Sequence, residues 1–204
     1  MKYLKHLSGL VLITLLLCLV SSLTLSADDQ VLLSGDIDHG GFGGPVIKGT
    51  SINGETSFFL GGCGGWLINR TFLVGGGLYS LMNDVEAPVT GADGETLYYE
   101  FGYGGLLLEY INNSHKLTHF TFSTLLGVGD VTYYDGNGHK DPKYGSDTVF
   151  VVEPGVNLEL NVSSSFRIDL GASYRYVDGV KIQGTSARDL SGATVNLILK
   201  FGGF

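Results

Sequence analysis

From residue 150 to the C-terminus, apolar and polar residues alternate one for one in runs of eight to eleven residues. Phe150, Val152, Pro154, Val156, Leu158 and Leu160 interleave with Glu153, Gly155, Asn157 and Glu159. Phe166, Ile168, Leu170, Ala172, Tyr174 and Tyr176 interleave with Arg167, Asp169, Gly171, Ser173 and Arg175. Val195, Leu197, Leu199 and Phe201 do the same with Thr194, Asn196 and Lys200. A period of two sends successive side chains to opposite faces of a strand, so each run is a strand with one greasy face and one polar face. Soluble strands are commonly about 5–6 residues long, whereas a tilted strand crossing the hydrocarbon core needs about 9–11. The lengths point to a bilayer.

Extending the pattern upstream gives eight strands, at 42–52, 55–67, 71–83, 95–111, 117–130, 147–160, 166–178 and 192–204. In the fourth, Leu97, Tyr99, Phe101 and Tyr103 face away from Thr96, Glu100 and Gly102, and then Leu106, Leu108 and Tyr110 carry the apolar face. The change of phase at Gly104 and Gly105 predicts a bulge. The connections 68–70, 112–116 and 161–165 are short, and they alternate with the longer 84–94, 131–146 and 179–191. Short turns at one rim and long loops at the other mark an outer-membrane barrel. The Asn53-Gly54 connection stands apart as a type I′ hairpin signal. The expected fold is all-β: an eight-stranded antiparallel up-and-down transmembrane barrel, both termini at the short-turn, periplasmic rim.

Aromatic residues should form two belts, with Trp66, Tyr110, Phe166 and Phe201 near the short turns and Tyr79, Tyr99, Tyr174 and Tyr176 near the long loops. Glycine is abundant, at 32 residues. Inside strands it lets a narrow barrel bend and leaves room for large neighbours. Gly61-Gly62-Cys63-Gly64-Gly65 and Gly75-Gly76-Gly77 fall on adjacent strands and predict one flattened or strongly curved wall, with Cys63 as a small packing residue.

The first residues have a separate role. Lys2, Lys5 and His6 precede an apolar run from Leu10 to Val20 and a small-residue stretch ending at Ala27, the order of a secretory signal peptide. Residues 1–27 are therefore read as a signal, 28–41 as a periplasmic lead-in and 42–204 as the barrel domain. Cys18 follows Leu17 where a lipoprotein site wants a small residue. The chain has 12 basic and 20 acidic residues; loss of Lys2 and Lys5 with the signal leaves a balance of −10. So acidic a chain is a poor partner for nucleic acid. With Cys63 alone after cleavage, no intrachain disulfide forms.

On the polar faces lie Glu100, Glu153, Glu159, Arg167, Asp169, Arg175 and Lys200. Inside a narrow barrel such charges must pair, and they are expected to form an interior salt-bridge network that keeps the barrel from being an open pore. His119, Thr121 and Ser123 share one face of the fifth strand. With Glu153 as orienting carboxylate, His119 and Thr121 are the minimum for acyl transfer. Asp135-Gly136-Asn137-Gly138-His139-Lys140-Asp141 starts like a calcium loop but lacks the later ligands, and Ser146 stands where the bidentate Glu belongs. Asp36, Asp38 and His39 would need distant help to hold a metal. No metal site and no cofactor are expected.

These features together resemble the small eight-stranded outer-membrane barrels of the OmpA/OmpX kind. Gly41-Phe42-Gly43-Gly44-Pro45, Gly64-Gly65-Trp66-Leu67-Ile68-Asn69 and Gly75-Gly76-Gly77-Leu78-Tyr79 are similar to stretches of uncharacterised outer-membrane proteins of this porin-like class. The resemblance implies residence in the cell outer membrane of a Gram-negative-type bacterium, contact with its lipid, and recognition of the strand ending at Phe204 by the barrel assembly machinery. Phe204 is out of phase with Phe201, Leu199 and Leu197. A structural or interaction role follows, with acidic loops 84–94, 131–146 and 179–191 offered to a partner or to lipopolysaccharide. Two other readings stay open. A soluble, lipocalin-like barrel would turn its apolar faces inward around an apolar ligand. A lipid A acyl hydrolase would use His119, and His119-Phe120-Thr121 has Thr where that family's His-x-Ser has Ser.

Overall fold

The computed structural model describes residues 37–92, 94–140 and 144–204. The signal segment, Cys18 and Asp36 lie outside them. The strands are β1 (His39–Ile52), β2 (Glu55–Ile68), β3 (Phe72–Leu81), β4 (Glu86–Thr90), β5 (Thr96–Ile111), β6 (Thr118–Tyr134), β7 (Ser146–Asn161), β8 (Phe166–Asp178) and β9 (Gly192–Gly203), with one helical turn, α1 (Ala187–Leu190), between the last two. All pairings are antiparallel, each long strand pairs with its neighbours, and β1–β9 and β3–β5 complete the ring. The short β4 folds back on the outer end of β5 and lies outside the eight-strand cylinder. Both β4 and α1 lie in segments expected to be loops, and β1 begins at His39, three residues before the expected 42.

The register fixes the geometry. Phe166 pairs Phe201, which pairs Gly43, and the path continues through Gly64, Gly76, Leu106, Leu126 and Val152 to Tyr176. One circuit thus returns to β8 ten residues higher. At about 3.3 Å per residue and a tilt of about 40°, that climb is about 25 Å. Such a height is that of the apolar band on membrane barrels, and Phe166 and Tyr176 mark its two edges.

The alternation comes out as a barrel in lipid requires. Phe150, Val156, Leu158, Leu170, Val195, Leu197 and Phe201 are exposed on the outside, while Glu153, Asn157, Glu159, Arg167, Asp169, Arg175 and Lys200 are buried within. This orientation overturns the lipocalin-like alternative, because the lumen holds charge where an apolar ligand would need grease. The Asn53-Gly54 turn has both residues at positive φ, 50° and 82°, as a type I′ hairpin demands.

The expected bulge at Gly104–Gly105 is absent. Pairing of β5 with β6 runs without a shift from Tyr98–Tyr134 to Ile111–Thr121. Leu97, Tyr99, Phe101, Tyr103, Leu107, Glu109 and Ile111 all point inward on one continuous face. The aromatic half of that face was read as lipid-facing because greasiness alone does not distinguish lumen from lipid. Tyr79 and Tyr99 leave the expected outer belt for the same reason, each being buried in the interior, whereas Tyr174 and Tyr176 are exposed in it. Trp66, Tyr110 and Phe201 are exposed near the short turns.

Large inward rings need small partners. Gly105 and Gly127 oppose each other on β5 and β6. A Cβ on Gly105 would sit 2.2 Å from the Leu126 carbonyl oxygen and 2.4 Å from Gly127 Cα, so at this crossing only glycine fits.

Candidate functional site

Interior side chains sort into two charge clusters along the barrel axis. The lower one centres on Lys200 of β9, whose ammonium contacts Glu109 Oε1 at 2.6 Å, Glu159 Oε2 at 2.7 Å and Asp169 Oδ2 at 2.8 Å. A lysine carries three N–H donors and no acceptor, so three carboxylates match it. Those three acids have oxygens within 4.8 Å of one another, the spacing of a cation site, and the ammonium fills it. Glu159 Oε1 also accepts from Arg167 at 2.6 Å and contacts His119 Nε2 at 2.9 Å. Below the cluster the Phe204 ring stacks near Phe42 and lies 3.9 Å under the Arg167 guanidinium. Its inward phase turns the last residue into a floor for the barrel.

The upper cluster centres on Glu153 of β7. Lys48 donates to both its oxygens at 2.9 and 2.8 Å, Tyr103 donates at 2.7 Å and Ser173 at 2.6 Å. Above them Arg175, fully buried, lies 4.8 Å from the Phe59 ring and 5.6 Å from that of Phe101. Between the clusters remains a cavity of about 30 Å³ bordered by Cys63, Glu109, Asn157 and Asn196. That is room for about one or two water molecules.

The outer mouth is closed by the last long connection. Leu190 of α1 is fully buried, Ile182 nearly so, and the Leu190 carbonyl accepts from Arg175 Nε at 2.8 Å. Tyr133 OH donates to the Gln183 carbonyl at 2.8 Å, so it must accept from Thr185 Oγ1 at 2.6 Å. Thr185 in turn accepts from Tyr99 OH at 2.6 Å. One hydroxyl proton each therefore fixes the direction of the whole chain. Asp147 accepts from the backbone N–H groups of Lys181 and Ile182, and Asn53 N–H donates to the Asp189 carbonyl at 2.8 Å. The other two long connections join this cap, since Tyr144 OH donates to the Thr90 carbonyl and Tyr134 OH to Asp84.

Of the residues expected in the interior network, Glu153, Glu159, Arg167, Asp169, Arg175 and Lys200 lie inside. Glu100 does not. It faces outward beside Lys140, 3.4 Å away with both side chains more than half exposed, because the unbroken phase of β5 sends even-numbered residues to the outside. Lys48 and Glu109, both essential to the clusters, were missed. Glu109 alternates with Leu108 and Tyr110, so the reading that put those two in lipid already implied it.

The acyl-transfer constellation does not assemble. His119 pairs across from Glu159, and Glu153 pairs across from Leu125, six residues further along β6. At about 3.3 Å per residue they are about 20 Å apart. His119 Nδ1 is engaged by the Lys116 carbonyl, and Thr121 Oγ1 accepts from Asn157. All three side chains face the sealed lumen, away from lipid substrates. Replacing His119 by Ala should leave acyl hydrolysis by membranes carrying the protein unchanged, while costing about 1–3 kcal/mol of stability through the partners left bare; a loss of hydrolysis at unchanged stability would restore the enzyme reading. Near the calcium-like segment, Asp135 accepts from the backbone N–H of His139 and of Asn137, bonds that hold its carboxyl below the usual range. Its oxygens serve the turn. Asp38 pairs with Arg70 at 2.7 Å and His39 stacks on Trp66.

No family model and no curated protein matches the sequence. Solved structures do match the fold. Neisserial surface protein A is similar over 83% of this chain and 99% of its own, at 13% identity and a TM-score of 0.54. The N-terminal β-barrel domain of Pseudomonas aeruginosa OprF is similar over 79% of this chain and 96% of its own, at 11% identity and a TM-score of 0.53. The chain folds as a small eight-stranded β-barrel of the outer-membrane kind, and its apolar outer band sets it across that membrane.

Proposed function

We propose that this protein is a non-conducting outer-membrane anchor whose long connections form a fixed platform on the cell surface for contact with a partner or with lipopolysaccharide. The observation that carries the reading is the seating of segment 179–191 in the outer mouth, with Leu190 buried against the barrel. Buried apolar contacts and hydrogen bonds tie the described parts of the three long connections together, so they present one surface rather than separate mobile loops. That surface is acidic: Asp84, Glu86, Glu95, Glu100 and Asp178 are exposed on it against Lys140, Lys181 and Arg188. It suits a basic or cation-bridged partner, because like charges repel across an interface. Charge clusters and the Phe204 floor block the axis below.

Two measurements test this. Purified protein in planar bilayers should give no steady stepwise conductance, and a membrane-impermeant amine reagent should label Lys140 and Lys181 on intact cells but spare Lys116. Discrete conductance steps would overturn the closed axis; labelling of Lys116 before the other two would reverse the orientation.

A further inference from the structure

Among the described residues, Arg175 is the one fully buried cation without a counter-ion. Lys48 is paired with Glu153 at 2.8 Å, and Lys200 and Arg167 divide Glu109, Glu159 and Asp169 between them. The extra carboxylate of the lower cluster does not serve Arg175, because Asp169 lies six residues down β8, about 20 Å away. A guanidinium carries five N–H donors, and here they find a single acceptor. Nε donates to the Leu190 carbonyl at 2.8 Å, while the two terminal nitrogens, equally buried, have no hydrogen-bond partner. The rings of Phe59, Phe101 and Tyr103 lie 4.8, 5.6 and 5.7 Å from the guanidinium carbon. They attract the cation but leave its N–H fork open. Such a fork matches the two oxygens of a carboxylate.

What covers the fork is the cap. Leu190 sets a neutral carbonyl oxygen against Nε and an apolar side chain into the same buried cluster as Phe59, Phe101 and Tyr99. An oxygen acceptor joined to a small apolar body is also what an ionised apolar acid offers, with the full charge that the Leu190 carbonyl lacks. The cap is held lightly for a covering element. Of residues 179–191 only Ile182 and Leu190 are buried, and the segment runs between Gly179, at φ 86°, and Gly192. Arg175 stands one residue below Tyr176, at the outer edge of the apolar band, so the segment above it meets water and not hydrocarbon.

We propose that Arg175 is the floor of an outward-facing site for a small apolar carboxylate, and that segment 179–191 covers it until the ligand takes the place of Leu190. The site is a cup and not a channel, since Lys48, Glu153 and the lower cluster close the axis beneath it. Ligand and Leu190 compete for one position, so binding and cap closure oppose each other, and weakening one strengthens the other. The proposal goes beyond the platform reading and stands apart from it.

The test uses the full folded chain in detergent micelles, with benzoate as the ligand and benzamide as its neutral counterpart. The acidic platform repels an approaching anion, so the response is read at about 0.15 M salt, where exposed charges are screened beyond about 8 Å. Trypsin cleavage after Lys181 and Arg188, both exposed in the cap, reports displacement, and the heat-modifiable band reports the folded barrel. Benzoate should speed cleavage about fivefold or more, and benzamide by less than about twofold. Arg175→Gln should remove the benzoate response. Leu190→Ala leaves Arg175 in place and should lower the half-saturating benzoate concentration about tenfold, because the competitor is weakened. Should the glutamine variant fail to fold, Leu190→Ala decides alone. No response to benzoate, an equal response to benzamide, a response that survives in folded Arg175→Gln, or an unchanged half-saturation in Leu190→Ala would each overturn the site.

Discussion

Lys200→Met should cost the folded barrel about 3–5 kcal/mol, enough to lose most of the heat-modifiable form. Lys200 is fully buried and is the common partner of Glu109, Glu159 and Asp169. Methionine matches its length but offers no charge. Three carboxylates then share a sealed lumen with the Arg167 cation, and an unpaired buried ion is far costlier than a lost pair. A second variant separates charge from packing. Adding Glu109→Gln and Asp169→Asn to Lys200→Met leaves Glu159 with Arg167 and should recover most of the loss, since neutral amides do not repel. Urea titration followed by Trp66 fluorescence reads both, Trp66 being the single tryptophan of the chain and lying on the lipid face. Equal instability of the single and triple variants would show that the cluster is packing and not charge.

The second large effect belongs to the outer face. Leu170 is 59% exposed on β8, four residues above Phe166 and so close to mid-membrane. Leu170→Arg should destabilise the barrel in liposomes by about 2–4 kcal/mol, the cost of a cation facing the bilayer midplane. Asp178→Arg, on the same face but beyond Tyr176 at the outer edge, should cost about 0–1 kcal/mol. In a soluble barrel both sites would face water and both changes would be nearly neutral. The contrast between them is what lipid alone produces.

How much of this was legible beforehand follows from what alternation can encode. In β7, β8 and β9 one face is apolar and the other charged, so a strict period of two named every charged inward residue from Glu153 to Lys200. In β5 both faces are partly apolar. Tyr99, Phe101 and Tyr103 fill the lumen, and the lipid side is blank at Gly102 and Gly104, so the greasier face was the inner one. That inversion created a bulge that does not exist and drew Glu100 inside. Lys48 escaped notice because its strand neighbours are Gly44, Val46 and Thr50, a run with too little contrast to show phase. The cap was beyond sequence pattern altogether. Leu190 and Ile182 sit in a polar, glycine-bearing connection, and only the closed ring brings Arg175, Tyr99 and Tyr133 beneath them. Pairing arithmetic, by contrast, was open from the start: Glu109 follows from Leu108 and Tyr110 by simple alternation.

The claim on which all of this turns is that strand faces bearing Leu170 meet hydrocarbon and those bearing Ser173 meet a closed lumen. Nitroxide labels at each position, in a Cys63→Ala background reconstituted in liposomes, report it through collisions with oxygen and with a water-soluble nickel complex. The label at 170 should be relaxed strongly by oxygen and hardly by nickel, and the label at 173 weakly by either. Strong nickel relaxation at 170 would contradict the account, because that face would then lie in water.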